Sequence, residues 1–486
     1  MAGLSASPAE TPLWSHGEYL QGSGGSGYLE VEAITDSTCA LKRFTFEAER
    51  PEDSWGSMLT CEFDLTYLSE IDGHRLVAVA SDAVECGADI DRLYLILPKT
   101  VRRIENRAFR GDGAYIVLPD TLDYLGSEVF SQGGWECLLR MPKSLKWISA
   151  RAFVNGGWDG TLPENLEYIG DNAFAGHSSY RLWTLIFPET LTYIGDNAFE
   201  NCKKLESVVL PPSLEYLGVA CFQNCSDLKS VALPPSLEKL QLYTFAGCSS
   251  LSTLELPYGL KEIGGFAMND IAVSELSVPS SVETIGVSSM PMNLRTLTIE
   301  DCSLPLYVEH SDAMGGSSEW STFESPVEYL YVGRDIQTES GCQAYFEKIT
   351  TLRKVVIGED VRTPGVKFYL SPKLESIELH TSNPPEVDFY DNLNGTYRNF
   401  TANQYRDVQV TVPQGSMTNY LLNPVWKNFV NIREGEYTGV SEIPVGLSAD
   451  SRIYDITGRP VSSEGELRNG IYIIVNCGGT AKIIVR

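Results

Sequence analysis

The sequence has few of the residues on which enzymes and metal sites depend. Its 5 histidines lie in unrelated contexts, without an HExxH motif or a spacing that would pair a base with a nucleophile. Its 11 cysteines form no CxxC motif, so a zinc site has no support. The segment DNLNG at 391–395 looks like an acidic calcium loop but lacks the ligand pattern, and we expect a polar turn there. We therefore expect no enzyme activity, no metal and no cofactor.

Positive charge and long apolar runs are also scarce. The chain has 37 Lys and Arg against 64 Asp and Glu, for a formal net charge of -27, so nucleic acid and anionic membrane surfaces would be repelled. No apolar run approaches the roughly 20 residues that cross a bilayer, which predicts no membrane-spanning segment. Residues 1–20 lack both a basic n-region and an apolar h-region, so we expect no signal peptide within them.

What the sequence does contain is a repeat. The heptapeptide YIGDNAF occurs twice, at Tyr168–Phe174 and at Tyr193–Phe199. Its frame, a hydrophobic residue, usually Gly, two variable residues, a small residue and Phe, recurs at a near-constant spacing. A period of this length is typical of a solenoid. The Phe slot is filled by Phe109, Phe130, Phe153, Phe174, Phe199, Phe222, Phe245, Met268 and Met290.

A second anchor precedes each Phe slot, an apolar residue followed by proline. The residues leading into it alternate, as in LESVVLP, where Leu205, Val208 and Leu210 can face a core. This pattern predicts a short strand that ends at a residue unable to donate to the ladder. Each coil would hold a strand, a Pro turn and a return segment. The prolines are Pro98, Pro119, Pro142, Pro163, Pro188, Pro211, Pro234, Pro257 and Pro279.

The repeat resembles a known family. LESVVLPPSLEYLGVACFQNCSDLKSVALPPSLEKL, residues 205–240, is similar to the BspA-like leucine-rich repeat proteins of bacterial surfaces, and close matches span about 76–301. The resemblance implies a leucine-rich repeat solenoid, with a parallel sheet on one face and short helical or 3₁₀ turns and loops on the other. It also implies an exported or surface-attached protein with a binding or adhesion role. We expect a monomer.

Caps and a small C-terminal domain complete the predicted organisation. In the final coil at 408–432, Tyr420, Leu421, Trp426 and Phe429 are placed to cover the open end. RIYDITGRPV and LRNGIYIIVNCGGTAKIIVR predict three strands. They resemble the C-terminal sorting domain of Bacteroidetes type IX secretion substrates, without the Pro-Asn-Pro opening usual upstream. We divide the chain into a β-rich cap at 1–74, regular repeats at 75–301, irregular repeats with a cap at 302–437, and a small β-sandwich-like domain at 438–486.

The first candidate site is a row of aromatic residues. An aromatic side chain precedes the Ile or Leu of the frame in five consecutive coils, and stacked coils would align these rings. Such a row suits a sugar or a partner's apolar surface; alternatively, the rings pack on one another and stiffen the fold. The next three coils have no aromatic residue at this position and carry Lys239, Glu262 and Thr284 instead. The members of the row are Tyr124, Trp147, Tyr168, Tyr193 and Tyr216.

The second candidate site is the outward face of the strands. Positions two and four before each proline should point outward, and Tyr94 and Tyr115 give this face an aromatic start. The face could bind a protein or glycan, or serve cross-strand packing and solubility alone. The remaining positions are Ile96, Val117, Leu138, Arg140, Asp159, Thr161, Thr184, Ile186, Ser207, Val209, Ser230, Ala232, Thr253, Glu255, Glu275 and Ser277.

Three further slots favour structural explanations. Cys202, Cys225 and Cys248 follow the Phe slot in successive coils, and we expect a ladder of buried thiols. Asp171 and Asp196 are placed to cap the turn that carries the Phe. The glycine slot of the frame needs no positive φ, because other coils fill it with Glu105, Ser149 and Gln241.

These observations together predict a non-catalytic surface protein that binds a protein or glycan through the solenoid. The alternative from a different class is an architectural surface protein without a defined ligand.

Overall fold

The structure covers most of the repeat region. The computed structural model describes residues 15–23, 25–48, 60–85, 92–110, 114–130, 141–155, 158, 160–177, 184–309, 325–337, 346, 349–387, 389–391, 396–435, 452–455, 460–461, 470–476 and 479–485. Three predicted face positions, Leu138, Arg140 and Asp159, and most of the DNLNG loop lie outside these residues.

The chain begins with a sheet that changes from antiparallel to parallel pairing. Strands β1, β2 and β3 pair antiparallel in that order, and β3 then pairs in parallel with β6. These strands lie in the β-rich cap predicted at 1–74, where YLEVEAIT falls within β2 and TCEFD forms β4. The bounds are β1 Ser15–Gly22, β2 Gly25–Thr35, β3 Thr38–Ala48, β4 Thr60–Asp64, β5 Glu70–Ile71, β6 His74–Val79 and β7 Val84–Glu85.

The regular coils follow, and most contribute two short strands each. One strand precedes the proline, as predicted, and the other is a two-residue strand in the return segment. The bounds are β8 Arg92–Ile96, β9 Arg103–Ile104, β10 Phe109–Arg110, β11 Ala114–Val117, β12 Tyr124–Leu125, β13 Trp147–Ile148, β14 Tyr168–Ile169, β15 Thr184–Ile186, β16 Tyr193–Ile194, β17 Ser207–Val209, β18 Tyr216–Leu217, β19 Ser230–Ala232, β20 Lys239–Leu240, β21 Glu262–Ile263, β22 Glu275–Val278, β23 Thr284–Ile285, β24 Thr296–Ile299 and β25 Leu306–Val308.

These strands form two parallel ladders along the solenoid. The first ladder contains the strands before the prolines, paired as β4, β8, β11, then β15, β17, β19, and again from β22 onward. The second ladder contains the return strands, paired as β9 with β12, then β13, β14, β16, β18, and then from β20 onward. The first ladder confirms the predicted parallel sheet. The second was not predicted, because two residues are too few to show an alternating pattern.

The first ladder continues through the irregular repeats that the sequence predicted at 302–437. Strands β22, β24, β26, β28, β29, β32 and β33 form one sheet. The bounds are β26 Tyr329–Val332, β27 Ile336–Gln337, β28 Lys354–Ile357, β29 Ser376–Leu379, β30 Phe389–Asp391, β31 Thr396–Arg398, β32 Gln409–Pro413 and β33 Asn431–Gly435, with helices α1 Ala402–Asp407 and α2 Met417–Leu422 and 3₁₀ turns at Phe368–Leu370 and Trp426–Asn428.

The final coil is closed by aromatic side chains. Tyr420, Trp426 and Phe429 are buried, and the Tyr420 hydroxyl donates a hydrogen bond of 2.7 Å to the Thr381 carbonyl. The prediction was wrong for Leu421, which is 49% exposed. Leu421 follows Tyr420 on α2, and successive residues of a helix point about 100° apart, so only one of the two can face the core.

The C-terminal residues form a separate antiparallel sheet of four strands, in the order β35, β34, β36, β37. The sequence predicted three. The additional strand is the short β35. The bounds are β34 Arg452–Asp455, β35 Pro460–Val461, β36 Gly470–Asn476 and β37 Gly479–Val485.

The core of the solenoid is a continuous stack of phenylalanine rings. Neighbouring rings from Phe109 to Phe245 lie 5.2 to 5.8 Å apart, nearly parallel. Met268 and Met290 are buried where the stack ends. The Phe slot is therefore confirmed as the core position.

The predicted thiol ladder is also confirmed. Cys202, Cys225 and Cys248 are buried and form no disulfide bond. Each Sγ donates a hydrogen bond of 3.1 to 3.3 Å to the carbonyl of a Phe one coil earlier. The thiols thus tie successive coils together without a disulfide.

The predicted role of the aspartates was wrong. Asp171 Oδ1 accepts a hydrogen bond of 2.9 Å from the Asp196 backbone N–H, and Asp196 Oδ1 accepts one of 2.8 Å from the Val219 N–H. Both carboxylates therefore bridge to the next coil and do not cap their own turn. Gly195 has an ordinary φ, as expected, but a Cβ there would lie 2.4 Å from Asp171 Oδ1, so close approach favours glycine.

Candidate functional site

The predicted aromatic row lies on the second ladder. Trp147, Tyr168, Tyr193 and Tyr216 stand at equivalent positions of four successive paired strands. The three tyrosine rings stack at centroid distances of 4.6 and 4.7 Å with 8° between planes, and Trp147 stacks on Tyr168 at 5.4 Å and 29°. The structure therefore brings four of the five predicted residues into one continuous stack.

This stacking changes which surfaces the row can offer. Tyr168 and Tyr193 have a ring on each side, so both of their faces are covered. These two residues present ring edges and hydroxyls to solvent. A ligand that stacks on an aromatic face can reach one only at an end of the stack.

Trp147 is the open end. Its side chain is 45% exposed, and its strand does not pair with the strand of Tyr124 in the preceding coil. Tyr124, the fifth predicted residue, does not stack on Trp147. The row is interrupted here although the two residues occupy equivalent positions.

Ser149 lies at the interruption. Elsewhere in the row the residue at this slot is a glycine whose backbone N–H bonds to the preceding coil, as Gly170 does to the Ile148 carbonyl at 2.8 Å. Ser149 instead donates its hydroxyl to the Leu125 carbonyl at 2.6 Å. The Ser149 side chain therefore bonds to the acceptor that a backbone N–H uses in neighbouring coils, and it joins the two coils where the second ladder is interrupted.

A groove of about 310 Å³ lies at the interruption. Arg103 and Asp123 are the charged residues of the groove, and the Arg103 guanidinium lies 4.2 Å from the centre of the Tyr124 ring. The volume of the groove is at the lower end of the range for small-ligand sites. The groove is lined by Arg103, Asp123, Tyr124, Trp147, Ile148, Ser149 and Tyr168.

The charged groups of the groove already have partners. Arg103 Nε donates to Glu105 at 3.1 Å, and Asp123 pairs with Arg102 Nη1 at 3.3 Å. The two charged side chains of the groove are of opposite sign and are already ion-paired, and the Trp147 indole beside them is exposed.

Three tyrosines of the row, Tyr168, Tyr193 and Tyr216, stay neutral over a wide range of pH. Burial, followed by the charge of Tyr168, raises the pKa of Tyr193 to about 12. Burial also raises the pKa of Tyr168 and, with the nearby Asp196, that of Tyr216. Tyr216 donates its hydroxyl to Asp196 Oδ1 at 3.3 Å. The row is a set of neutral rings bordered by carboxylates.

The second candidate set lies apart from the row. Tyr94 and Tyr115 belong to β8 and β11 of the first ladder and stack on each other at 4.6 Å and 13°. Their outward orientation is as predicted, and Val117 and Ile186 of the same face are 51% and 68% exposed. The structure therefore does not combine the two candidate sets into one site.

Sequence reasoning missed the residues that make the groove. Arg103, Asp123 and Ser149 carry no motif, and the spacing from Phe130 to Phe153 resembles that of the other coils. The one available signal was the serine at a slot that is glycine in Gly126, Gly170, Gly195 and Gly218.

A second depression, of about 350 Å³, lies on the N-terminal sheet. It follows the seam between β1 and β4, where Ser23 and Glu62 are joined by two backbone hydrogen bonds of 3.0 Å. Phe63 and Tyr67 line it. Because this depression is a seam between strands, we place the candidate site at the aromatic row.

The comparisons with known proteins agree with this architecture. Residues 92–181 and 177–293 match the family model of the BspA type leucine rich repeat region, in six copies. The fold is a leucine-rich repeat solenoid. None of the curated proteins searched is similar to the chain.

Several solved structures are similar to this leucine-rich repeat chain at low identity. A leucine-rich repeat protein from Bacteroides ovatus is 19% identical, with 84% of this chain and 98% of that chain covered and a TM-score of 0.44. The pneumococcal vaccine antigen PcpA is 16% identical, with 86% and 97% covered and a TM-score of 0.37. A leucine-rich cell surface protein from Faecalibacterium prausnitzii is 17% identical, with 58% and 94% covered and a TM-score of 0.26.

Two negative findings concern the described part of the leucine-rich repeat chain. Within it, no helix has the length and apolar character of a membrane span. The same residues contain no cluster of three histidine, cysteine or acidic side chains arranged to hold a metal ion.

Proposed function

We propose that this leucine-rich repeat protein is a non-catalytic binding protein that recognises a protein or glycan through the aromatic row. The observation that carries the proposal is Trp147, a large apolar side chain that is 45% exposed beside a groove. Exposed aromatic residues at the edge of a pocket are typical anchors of binding sites.

The test is retention on arrays of extracellular-matrix proteins and glycans. Trp147→Thr places in the slot the residue that Thr284 provides three coils after Tyr216, so the fold should accept it. We expect at least a tenfold loss of retention, because an anchor contributes about 1.4 kcal/mol or more.

Tyr94→Thr on the first ladder is the matched control, since it removes a stacked aromatic of the other candidate set. Retention that falls with Tyr94→Thr and not with Trp147→Thr would move the site to the first ladder.

The alternative is an architectural protein without a defined ligand. The observation that favours it is the mutual stacking of Tyr168, Tyr193 and Tyr216, which covers ring faces that a ligand would use. This alternative predicts no reproducible retention on either array and a loss of stability when Tyr193 is replaced by Thr.

We also propose that the protein is exported and held at the cell surface. Residues 438–486, which follow the predicted caps and repeats along the chain, would form a sorting-like domain. The motifs YDITGR and NGIYII and the basic, apolar end support this proposal. A reporter fused to residues 438–486 should reach the medium or outer surface of a Bacteroidetes host with a type IX system, and should stay inside a host that lacks the system.

A further inference from the structure

We propose that the groove between Tyr124 and Trp147 binds one neutral aromatic side chain, of tyrosine or tryptophan, presented by a polypeptide partner. The proposal rests on the binding function proposed above and names the chemical group that the same site takes. Shape, charge and the hydrogen bonds already made within the groove each support it.

The shape of the site suits a flat ring. From Tyr216 to Trp147 the rings stack at 4.6 to 5.4 Å, and Trp147 is the last of them. The groove lies where the row is interrupted, and Trp147 and Tyr124 line it. A ring placed against Trp147 would extend the stack at the spacing that aromatic pairs prefer.

The charges of the groove favour a neutral occupant. Arg103 and Asp123 both line the groove, so the attraction of an ion to one of them is opposed by its repulsion from the other, and neither a cation nor an anion gains a net attraction. A neutral aromatic ring is attracted to a guanidinium, as Tyr124 is to Arg103 at 4.2 Å.

The hydrogen bonds of the groove favour an aromatic side chain over a sugar. Arg103 Nε is bound to Glu105, Asp123 to Arg102, and the Ser149 hydroxyl to the Leu125 carbonyl. A sugar ring carries several hydroxyls that must find partners when they leave water. The indole face is the surface that remains without a partner, and it requires an apolar, planar group.

The test is a ligand titration of the full chain labelled with 5-fluorotryptophan. Trp147→Thr identifies the Trp147 resonance by its disappearance. We expect N-acetyl-L-tyrosinamide and N-acetyl-L-tryptophanamide to shift that resonance in a saturable way with a Kd of about 1 mM or weaker, the affinity that a fragment of this size can reach. Methyl β-D-glucopyranoside and N-acetyl-L-argininamide at equal concentration should leave it unshifted.

Two variants locate the binding. Tyr124→Thr removes the opposite wall of the groove and should weaken the tyrosinamide Kd at least fivefold, while Tyr216→Thr, at the far end of the same row, should leave it unchanged. The remaining tryptophan resonances report whether each variant is folded.

The other outcomes overturn the proposal in distinguishable ways. A shift with the glucoside and not with the amides would make the groove a glycan site. A shift with the argininamide alone would make it a cation site. Retention on the arrays that depends on Trp147, without a shift from either aromatic amide, would leave the binding function standing and exclude an aromatic anchor.

Discussion

At the scale of single residues, the coil depends on backbone conformations that most side chains avoid. The residue two before each Phe slot from Phe109 to Met290 has positive φ, and so has the residue two after each slot from Phe153 to Met268. After the slot the chain uses Asn155, Gly176, Asn201, Asn224, Gly247 and Asp270, which tolerate this region. Before it the chain uses Arg107, Glu128, Arg151, Asn172, Asn197, Ala220, Tyr243, Phe266 and Ser288. The residue types after the slot are typical of this conformation, whereas most of those before the slot are not.

Asn197 offers a direct measurement of that backbone cost. Its φ is 55°, a conformation that costs most L residues about 1 kcal/mol and glycine almost nothing. We expect Asn197→Ala to lower the free energy of unfolding by about 1 kcal/mol and Asn197→Gly to leave it within about 0.5 kcal/mol, measured by urea denaturation. Equal losses from the two variants would show that the side chain, and not the backbone, determines the residue.

Glu378 predicts a dependence of stability on pH. Its hydrogen bond from His380 and its ion pair with Lys354 lower the pKa to about 2, although desolvation opposes this. A lowered pKa means that the stabilisation is complete above about pH 4.5 and is lost as the pH falls toward 2. Because the side chain is 38% exposed, we expect Glu378→Gln to cost about 1 kcal/mol at pH 7 and almost nothing at pH 2.

Denaturation curves of wild type and variant at pH 7, 4 and 2 would check this dependence. Glu375→Gln, at the exposed ion pair with Arg353, is the control, and we expect it to change stability little at any of these pH values. A Glu378→Gln effect that is constant from pH 7 to 2 would contradict the assignment.

At the scale of the strands, the sequence predicts the elements that recur in every coil and does not predict contacts that single residues make between coils. The Phe core and the strands before the prolines follow from residues repeated in coil after coil. The bridging of Asp171 to the next coil could not be predicted, because its acceptor role depends on a backbone N–H 25 residues later in the chain. The interruption of the second ladder between β12 and β13 could not be predicted either, because Glu105, which also replaces glycine at this slot, keeps its backbone bond to the preceding coil.

The same interruption predicts a difference in amide exchange. The Gly126 and Gly170 amides donate bonds of 2.8 Å to the preceding coil, while Ser149 bonds to it through its side chain. We therefore expect the Ser149 amide to exchange at least tenfold faster than those of Gly126 and Gly170 in native-state hydrogen exchange. Ser149→Gly should slow exchange at this position if the backbone bond then forms, and equal rates in the wild-type protein would contradict the interruption.

At the scale of the whole molecule, a solenoid is only as stable as its ends. Each coil contacts its neighbours alone, so the last coil exposes a core face unless a cap covers it. Trp426 is fully buried, and its indole N–H donates a hydrogen bond of 3.0 Å to the Pro385 carbonyl. This residue holds the terminal coil to the array.

Trp426→Ala should therefore cost about 3 to 5 kcal/mol and promote aggregation through the uncovered end. Leu421→Ala in the same coil should cost less than about 1 kcal/mol, because the side chain is half exposed. Thermal unfolding with light scattering distinguishes them; a similar loss in both variants would mean that Leu421 contributes to the cap after all.

Chemical modification of Cys202, Cys225 and Cys248 can report the separation of neighbouring coils. Burial raises the pKa of Cys202 to about 12 and that of Cys225 well above its ordinary value, so neither forms the thiolate that alkylating reagents attack. Modification of each sulfur must then wait until its own coil separates from the one before. The rate at which iodoacetamide labels the three positions would measure, coil by coil, how often the middle of the solenoid opens.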